Sequence, residues 1–308
     1  MTSSKSVLPL TELVSGRQMV ERLVLGTAQL GMNYGINNAQ GRPSFEDGID
    51  VLCSAYVAGI RVIDTAEAYG QALDLIGTYH RENPTFRVIS KFQIDDPKIS
   101  ILKKLEQTLE KLNVESLYCY QFHHFEDYLK FPTVRKDLES SRREKLIERI
   151  GVSIYSNQEF RSAAESDMID VIQLPFNLLD NANKRGELID LAKRRNKELH
   201  ARSVFLQGLF FKDFQHFPPK LAPLVCYIKQ LYDIAVDNKQ DMLSLALNYV
   251  VQNAKMDHVL IGVDTVEQLS QNVKALHPAF DADLVKRIDA IEVVETDLLD
   301  PSNWNLEA

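Results

Sequence analysis

The chain has 308 residues, a net charge of −8 and a hydrophobic fraction of 45%, which suits one large α/β barrel or two ordinary domains with a core that needs no staples. It lacks a basic run that would mark a nucleic-acid partner, and it lacks the stretch of about 18 apolar residues that spanning a membrane requires. Cys53, Cys119 and Cys226 form no CxxC pair and sit in apolar contexts, so they read as buried thiols of a reducing compartment. With no signal-peptide pattern in the first 16 residues, the expected location is the cytoplasm.

The first 20 residues read as a hairpin, LTELVSGRQMVERL, turning at Ser15-Gly16 and closing the bottom of a barrel. Eight short apolar runs follow: LVLGTA (23–28), IRVID (60–64), RVISK (87–91), SLYCYQFH (116–123), RIGVS (149–153), DVIQLP (170–175), ELHARS (198–203) and HVLIGV (258–263). Each is rich in β-branched or bulky residues, as strands buried on both faces are. Between them lie amphipathic segments. Residues 45–59 place Ile49, Leu52, Cys53 and Tyr56 on one helical face. Residues 99–113 do the same with Leu102, Leu105, Leu109 and Leu112, and 183–196 and 265–276 behave alike. Thr265 opens the last of these with helix-starting chemistry. The run ESSRREKLIER (139–149) reads as a solvated helix face. A helical tail, DADLVKRIDAIEVVE, leads to DPSNWNLEA within a C-terminal extension over 277–308.

Eight strand–helix repeats in one unbroken chain predict a closed (β/α)8 TIM barrel forming a single domain over 1–308. The alternative, a doubly wound open sheet, normally carries GxGxxG after its first strand, and GTAQLGMNYG does not match.

In a barrel the chemistry belongs at the C-terminal ends of the strands. The second run ends in Asp64, the third in Lys91 and the fourth in His123, while Tyr69 follows five residues after Asp64. These four suit hydride reduction of a carbonyl, which needs a proton donor at the developing alkoxide. A tyrosine hydroxyl can be that donor. A neighbouring ammonium stabilises its phenolate, a carboxylate keeps the ammonium charged, and an imidazole can hydrogen-bond the substrate oxygen. Two other readings stand beside this one. Lys91 could be the nucleophile of a Schiff-base aldolase or lyase, although pairing with Asp64 favours the charged amine. The barrel could also bind a nucleotide without catalysis. No HxxxH, HExxH or clustered Cys/His spacing exists, so no metal site is expected, and His80, His200, His216, His258 and His277 read as scattered.

DTAEAYG (64–70), ISKF (89–92) and LYCYQFHH (117–124), in that order, resemble the Asp-Tyr-Lys-His tetrad of the aldo-keto reductases, and the likeness extends over residues 20–276. It implies a nicotinamide-dependent oxidoreductase acting on a small carbonyl compound. Tyr69 would be the general acid, supported by Asp64, Lys91 and His123, with His124 the competing histidine. For the cofactor it implies Gly26, Thr27 and Asp64 beside the nicotinamide, and Ser153 and Gln173 at the carboxamide, with Ile154 standing where the family has asparagine. Arg202 takes the place of a tyrosine that stacks on the nicotinamide, and could turn instead toward the pyrophosphate or an acidic substrate. Ser203, Phe205 and Gln207 would run along the pyrophosphate. Gly262, Asp264, Thr265, Gln268 and Asn272 would hold the adenosine. No lysine or arginine occurs between Lys255 and Lys274, where a 2′-phosphate would need one, so the NAD(P)(H) requirement leans toward NAD(H). Gln29, Asn33, Tyr34, His124, Tyr155 and Trp304 are expected at the substrate mouth. That mixture of amides and aromatics suits a polyhydroxylated carbonyl such as a sugar.

Overall fold

The computed structural model describes residues 10–38, 40–95, 100–276 and 280–304. Residues 1–9 of the expected hairpin, His277 and residues 305–308 of the tail lie outside them. Eight parallel strands close in sequence order: β1 (Leu23–Gly26), β2 (Val62–Asp64), β3 (Arg87–Phe92), β4 (Leu117–Phe122), β5 (Ile147–Ser153), β6 (Val171–Pro175), β7 (Glu198–Arg202) and β8 (His258–Gly262). Closure is direct, with Leu23 to Gly26 of β1 in register with Val259 to Gly262 of β8. All eight apolar runs became strands, because a strand inside a ring of helices is apolar on both faces and therefore conspicuous in sequence.

Side chains pointing into the barrel, among them Val24, Val62, Ile89, Cys119, Val171 and Leu260, form a small inner cluster. The larger core lies between the strands and the helices outside them. The helix Phe45–Ala58 begins at Ser44, whose side chain accepts from Asp47 N, and stops at Gly59 in the left-handed conformation. Its most buried side chains are Val51, Leu52 and Ala55, so the face is rotated from the one anticipated, and Ile49, Cys53 and Tyr56 are only partly covered. In the helix Ile101–Leu112 the contact face is Ile101, Leu105, Leu109 and Leu112, while Leu102 is exposed.

Several expectations are corrected. Residues Leu10–Glu21 form a helix and not a hairpin. A Cβ at Gly16 would touch nothing, so this glycine sits on an open face, where its cost of about 1 kcal/mol does not break a helix. The helix buries Met19 and Val20 beneath the barrel, and Arg22 then donates to the carbonyls of Val251, Asn253 and Met256. The charged run at 139–149 is not one helical face: the helix Pro132–Arg143 ends, Lys145 takes φ 63°, and β5 begins at Ile147. The tail is helical only over Ala282–Asp289 and then breaks into short turns. Of the cysteines Cys119 alone is buried; Cys53 is partly covered and Cys226 is exposed.

Candidate active site

The strand register sets Asp64 and Lys91 at the upper ends of β2 and β3, both 2% exposed. Lys91 Nζ pairs with Asp64 Oδ1 and donates to Tyr69 Oη at 3.2 Å. Asp64 is held from two further sides: Gln173 of β6 donates to Oδ2 at 2.9 Å, and Thr27 Oγ1 donates to the Asp64 carbonyl at 2.9 Å. The side-chain nitrogen of Gln173 is therefore committed to the tetrad carboxylate. Burial alone would push the Lys91 ammonium down, but Asp64 and Tyr69 outweigh it and hold the ammonium above its usual range. A neutral amine nucleophile is thus disfavoured.

Tyr69 is placed by backbone packing. A Cβ at Gly31 would lie 1.9 Å from the Tyr69 carbonyl oxygen, and one at Gly70 would lie 2.3 Å from the Gly31 oxygen, where φ is also +52°. Only glycines allow the two chains to touch. Gln71 N donates to the Gly31 carbonyl at 3.2 Å, and Glu67 pins the turn through Lys104 at 2.8 Å and Tyr120 at 3.1 Å. The Tyr69 phenol is raised above its usual range: burial dominates, and the opposing pull of Lys91 is the next contribution. Tyr69 is accordingly a protonated phenol beside a cation. The His123 ring meets the Tyr69 ring edge-on, with centroids 5.9 Å apart. Burial first, then the charges of Lys91, His124 and Arg202, lower His123 to about 3, so it is a neutral imidazole. Gln93 Nε2 approaches its Nδ1 at 3.4 Å, which favours the proton on Nε2.

These four side chains stand at one end of a cavity of about 780 Å³. Gly26, Thr27, Gln29, Tyr34, Ser153, Tyr155 and Gln173 line it near them. Arg202, Ser203, Phe205, Gln207, Gly262, Asp264, Gln268 and Asn272 continue the lining. Two features fit the cavity to a nicotinamide dinucleotide. The buried Ser153 Oγ has no hydrogen-bond partner. Ser203, Leu206, Gln207 and Gly208 take φ of 59°, 47°, 53° and 88°, a run of left-handed backbone of the kind that collects where a ligand is held.

Some anticipated residues fall outside the lining. Thr265 caps the helix Val266–Lys274, its Oγ1 accepting from Gln268 N at 3.2 Å. His124 is exposed and stacks on His123 at 5.0 Å. Asn33 accepts from Arg42 N at 2.8 Å and shapes its own loop. Trp304 is 2% exposed and donates to the Leu298 carbonyl, so the tail reaches the cavity through Asp300, Pro301 and Ser302 instead. Reasoning from sequence also missed Asn37 and Asn38, which line the cavity and tie the loop after β1 to the far wall, at Gly208 O (2.6 Å) and Asp264 Oδ1 (3.1 Å). The motif NYGINN held no signal for that reach. Nor are His200 and His258 scattered. Their rings lie 4.9 Å apart, and Glu198 accepts from His200 at 2.7 Å and from Tyr118. Glu198, His200 and His258 are the kinds of group that can ligate a metal, a cluster that motif spacing did not reveal.

Residues 22–293 match the family model described as the aldo/keto reductase family. An NADH-specific methylglyoxal reductase of Escherichia coli (strain K12) is 22% identical over 90% of this chain and 96% of its own. A pyridoxal 4-dehydrogenase of Microbacterium luteolum is 24% identical over 82% of this chain and 89% of its own. Among solved structures, an aldo-keto reductase from Bacillus halodurans superposes with a TM-score of 0.71 at 18% identity, covering 89% of this chain and 94% of that one. No helix among the described residues is long and apolar enough to cross a membrane.

Proposed function

The chain belongs to the aldo-keto reductase family, nicotinamide-dependent oxidoreductases that act on small carbonyl compounds, and from that premise we propose that Tyr69 is the proton donor of an NADH-preferring carbonyl reductase. The observation that carries this reading is the bonded line Asp64–Lys91–Tyr69, with neutral His123 facing the same phenol.

A bound nicotinamide would supply the hydride, or accept it in the oxidative direction. Ser153, with its unpartnered hydroxyl, would meet the carboxamide, and the turn at 203–208 and the helix start at 264–272 would hold the remainder. A substrate oxygen would lie between Tyr69 Oη and His123, which face each other in the cavity. As charge develops on that oxygen, the Tyr69 O–H bond breaks and the proton passes to it, and Lys91 stabilises the phenolate left behind. Asp64 keeps Lys91 charged while Gln173 and Thr27 keep Asp64 in place. His123, with its proton on Nε2, orients the oxygen without competing as an acid.

The preference for NADH rests on charge. Among the described lining residues the cations are Lys91 and Arg202, both at the catalytic end. Lys255 pairs with Asp190, and Lys212 donates to the Ile36 carbonyl at 3.2 Å. The adenosine end instead presents Asp264, which favours a ribose hydroxyl over a phosphate. The similar Escherichia coli protein is named as NADH-specific. Amides and phenols around the mouth suit a polyhydroxylated carbonyl, and three unpaired cysteines suit the cytoplasm.

The test is Tyr69→Phe assayed by nicotinamide absorbance on a panel of aldehydes and sugars. The variant should bind cofactor as before and lose roughly 10²–10⁴-fold in turnover. Near-normal turnover would remove Tyr69 from the role.

A further inference from the structure

Arg202 ends β7 inside the cavity, half-buried, with no carboxylate within ion-pair distance among the described residues. Its contacts are neutral. Nη2 donates to the Ile154 carbonyl at 3.1 Å, Nη1 to Ser203 Oγ at 3.3 Å, and the guanidinium carbon stands 4.4 Å over the Tyr155 ring. Those contacts satisfy the guanidinium's edges in part but leave its charge uncompensated. The other cation of the lining is already neutralised, because Lys91 pairs with Asp64. His123 is neutral. Among the described lining residues Arg202 is therefore the cation without an ion pair, since the lining carboxylates Asp264 and Asp300 make none with it.

The direction of the side chain matters as much as the charge. From β7 it reaches back past β6 to Ile154 and Tyr155, which follow β5, and so toward the β4 histidine. The helix start at 264–272 follows β8, which lies on the other side of β7, while the turn at 203–208 begins at the Ser203 hydroxyl that Arg202 touches. The charge of Arg202 reaches both Tyr69 and His123, as the smallest of the causes acting on each: it opposes the rise that burial imposes on Tyr69 and adds to the lowering of His123. A carbonyl oxygen held by those two residues puts the rest of its molecule within reach of Arg202.

We propose that Arg202 is a specificity residue that selects carbonyl substrates bearing an anionic group, a carboxylate or a phosphate, near the reacting carbon. The planar fork of a guanidinium matches either group through two parallel charge-assisted hydrogen bonds. A half-buried cation with no partner carries a desolvation penalty. An anionic substrate relieves it and a neutral one does not. The inference rests on the carbonyl-reductase reading and refines its substrate class.

The test uses matched pairs of aldehydes: butanal against succinate semialdehyde for the carboxylate, and glyceraldehyde against glyceraldehyde 3-phosphate for the phosphate. The quantity read is the ratio of kcat/KM, charged over neutral, for the wild type, Arg202→Gln and Arg202→Lys. The wild type should favour the charged member of at least one pair by roughly 10- to 100-fold. Arg202→Gln should bring that ratio close to one, chiefly through KM, and Arg202→Lys should keep part of it. Which pair shows the preference identifies the anion. A wild type indifferent to charge would overturn the proposal, as would a ratio that survives Arg202→Gln. Calorimetric titration with succinate and with inorganic phosphate provides an arm that needs no turnover. Should no aldehyde be reduced while Arg202→Gln abolishes binding of one of these anions, the reductase reading falls and the anion site stands.

Discussion

Replacing Lys91 by methionine removes one charge and leaves most of the volume, and two consequences can be sized from the geometry. Lys91 Nζ lies 3.2 Å from Tyr69 Oη. At that separation a full charge stabilises a phenolate by about 1 kcal/mol with the dielectric constant of water and about 5 kcal/mol with an effective value near 20. This corresponds to roughly one to four units in the phenol's pKa. Lys91→Met should therefore move the alkaline limb of the kcat/KM profile upward and lower activity at neutral pH by about 100-fold or more. The second consequence is structural. Asp64 would keep Gln173 but lose the one cation paired with it among the described residues, and breaking a buried pair from one side costs about 3–5 kcal/mol. Urea denaturation measures that loss. Asp64→Asn combined with Lys91→Met should recover most of the stability, since a neutral amide replaces the stranded carboxylate, and should recover none of the activity. An unchanged pH–rate profile in Lys91→Met would refute the electrostatic role. Activity returning together with stability in the double variant would show that Lys91 acts only as a strut.

Three further outcomes follow from the same contacts. Gly31→Ala forces a Cβ into the Tyr69 carbonyl, so it should displace the turn at 69–72 and lower kcat far more than an alanine at Gly16, where a Cβ meets nothing; comparable kcat in the two variants would contradict the packing account. His123 and His258 are lowered to about 3 and 4 from an ordinary value near 6.5, so the unfolded chain binds more protons below that value. Their contribution to stability is complete above pH 6.5 and is lost as pH falls toward 4. The melting temperature should drop between pH 7 and 5, with a shallower slope in His258→Gln, and a flat profile would contradict the burial of both rings. Asp264→Arg should raise kcat/KM with NADPH relative to NADH by placing a cation where the chain has a carboxylate, although it also cuts the bond from Asn38; an unaltered cofactor ratio would mean that Asp264 does not face the ribose.

What the sequence determined by itself is what burial writes locally. A strand enclosed by helices must be apolar on both faces, so eight runs stood out, and an ionisable residue ending such a run can only open into the mouth of the barrel. That is why Asp64, Lys91 and His123 were legible as a group before any coordinates, and why Tyr69 joined them through a motif. The tertiary structure decided whatever depends on two distant segments meeting. Gly31 looked like one more glycine in GTAQLG until it proved to be the surface on which the Tyr69 backbone rests. Asn37 and Asn38 gave no sign that they reach Gly208 and Asp264 across the cavity. Trp304 was expected at the mouth, yet burial of its ring and a partner for its indole N–H took it inside the tail. Ser15-Gly16 has the chemistry of a turn, but the chain stays helical there and buries Met19 and Val20 beneath the barrel. Arg202 could have faced the cofactor, the solvent or the substrate. Its direction was set by the Ile154 carbonyl and the Tyr155 ring, two groups nearly fifty positions earlier in the chain, and no pattern of spacing encodes a contact of that kind.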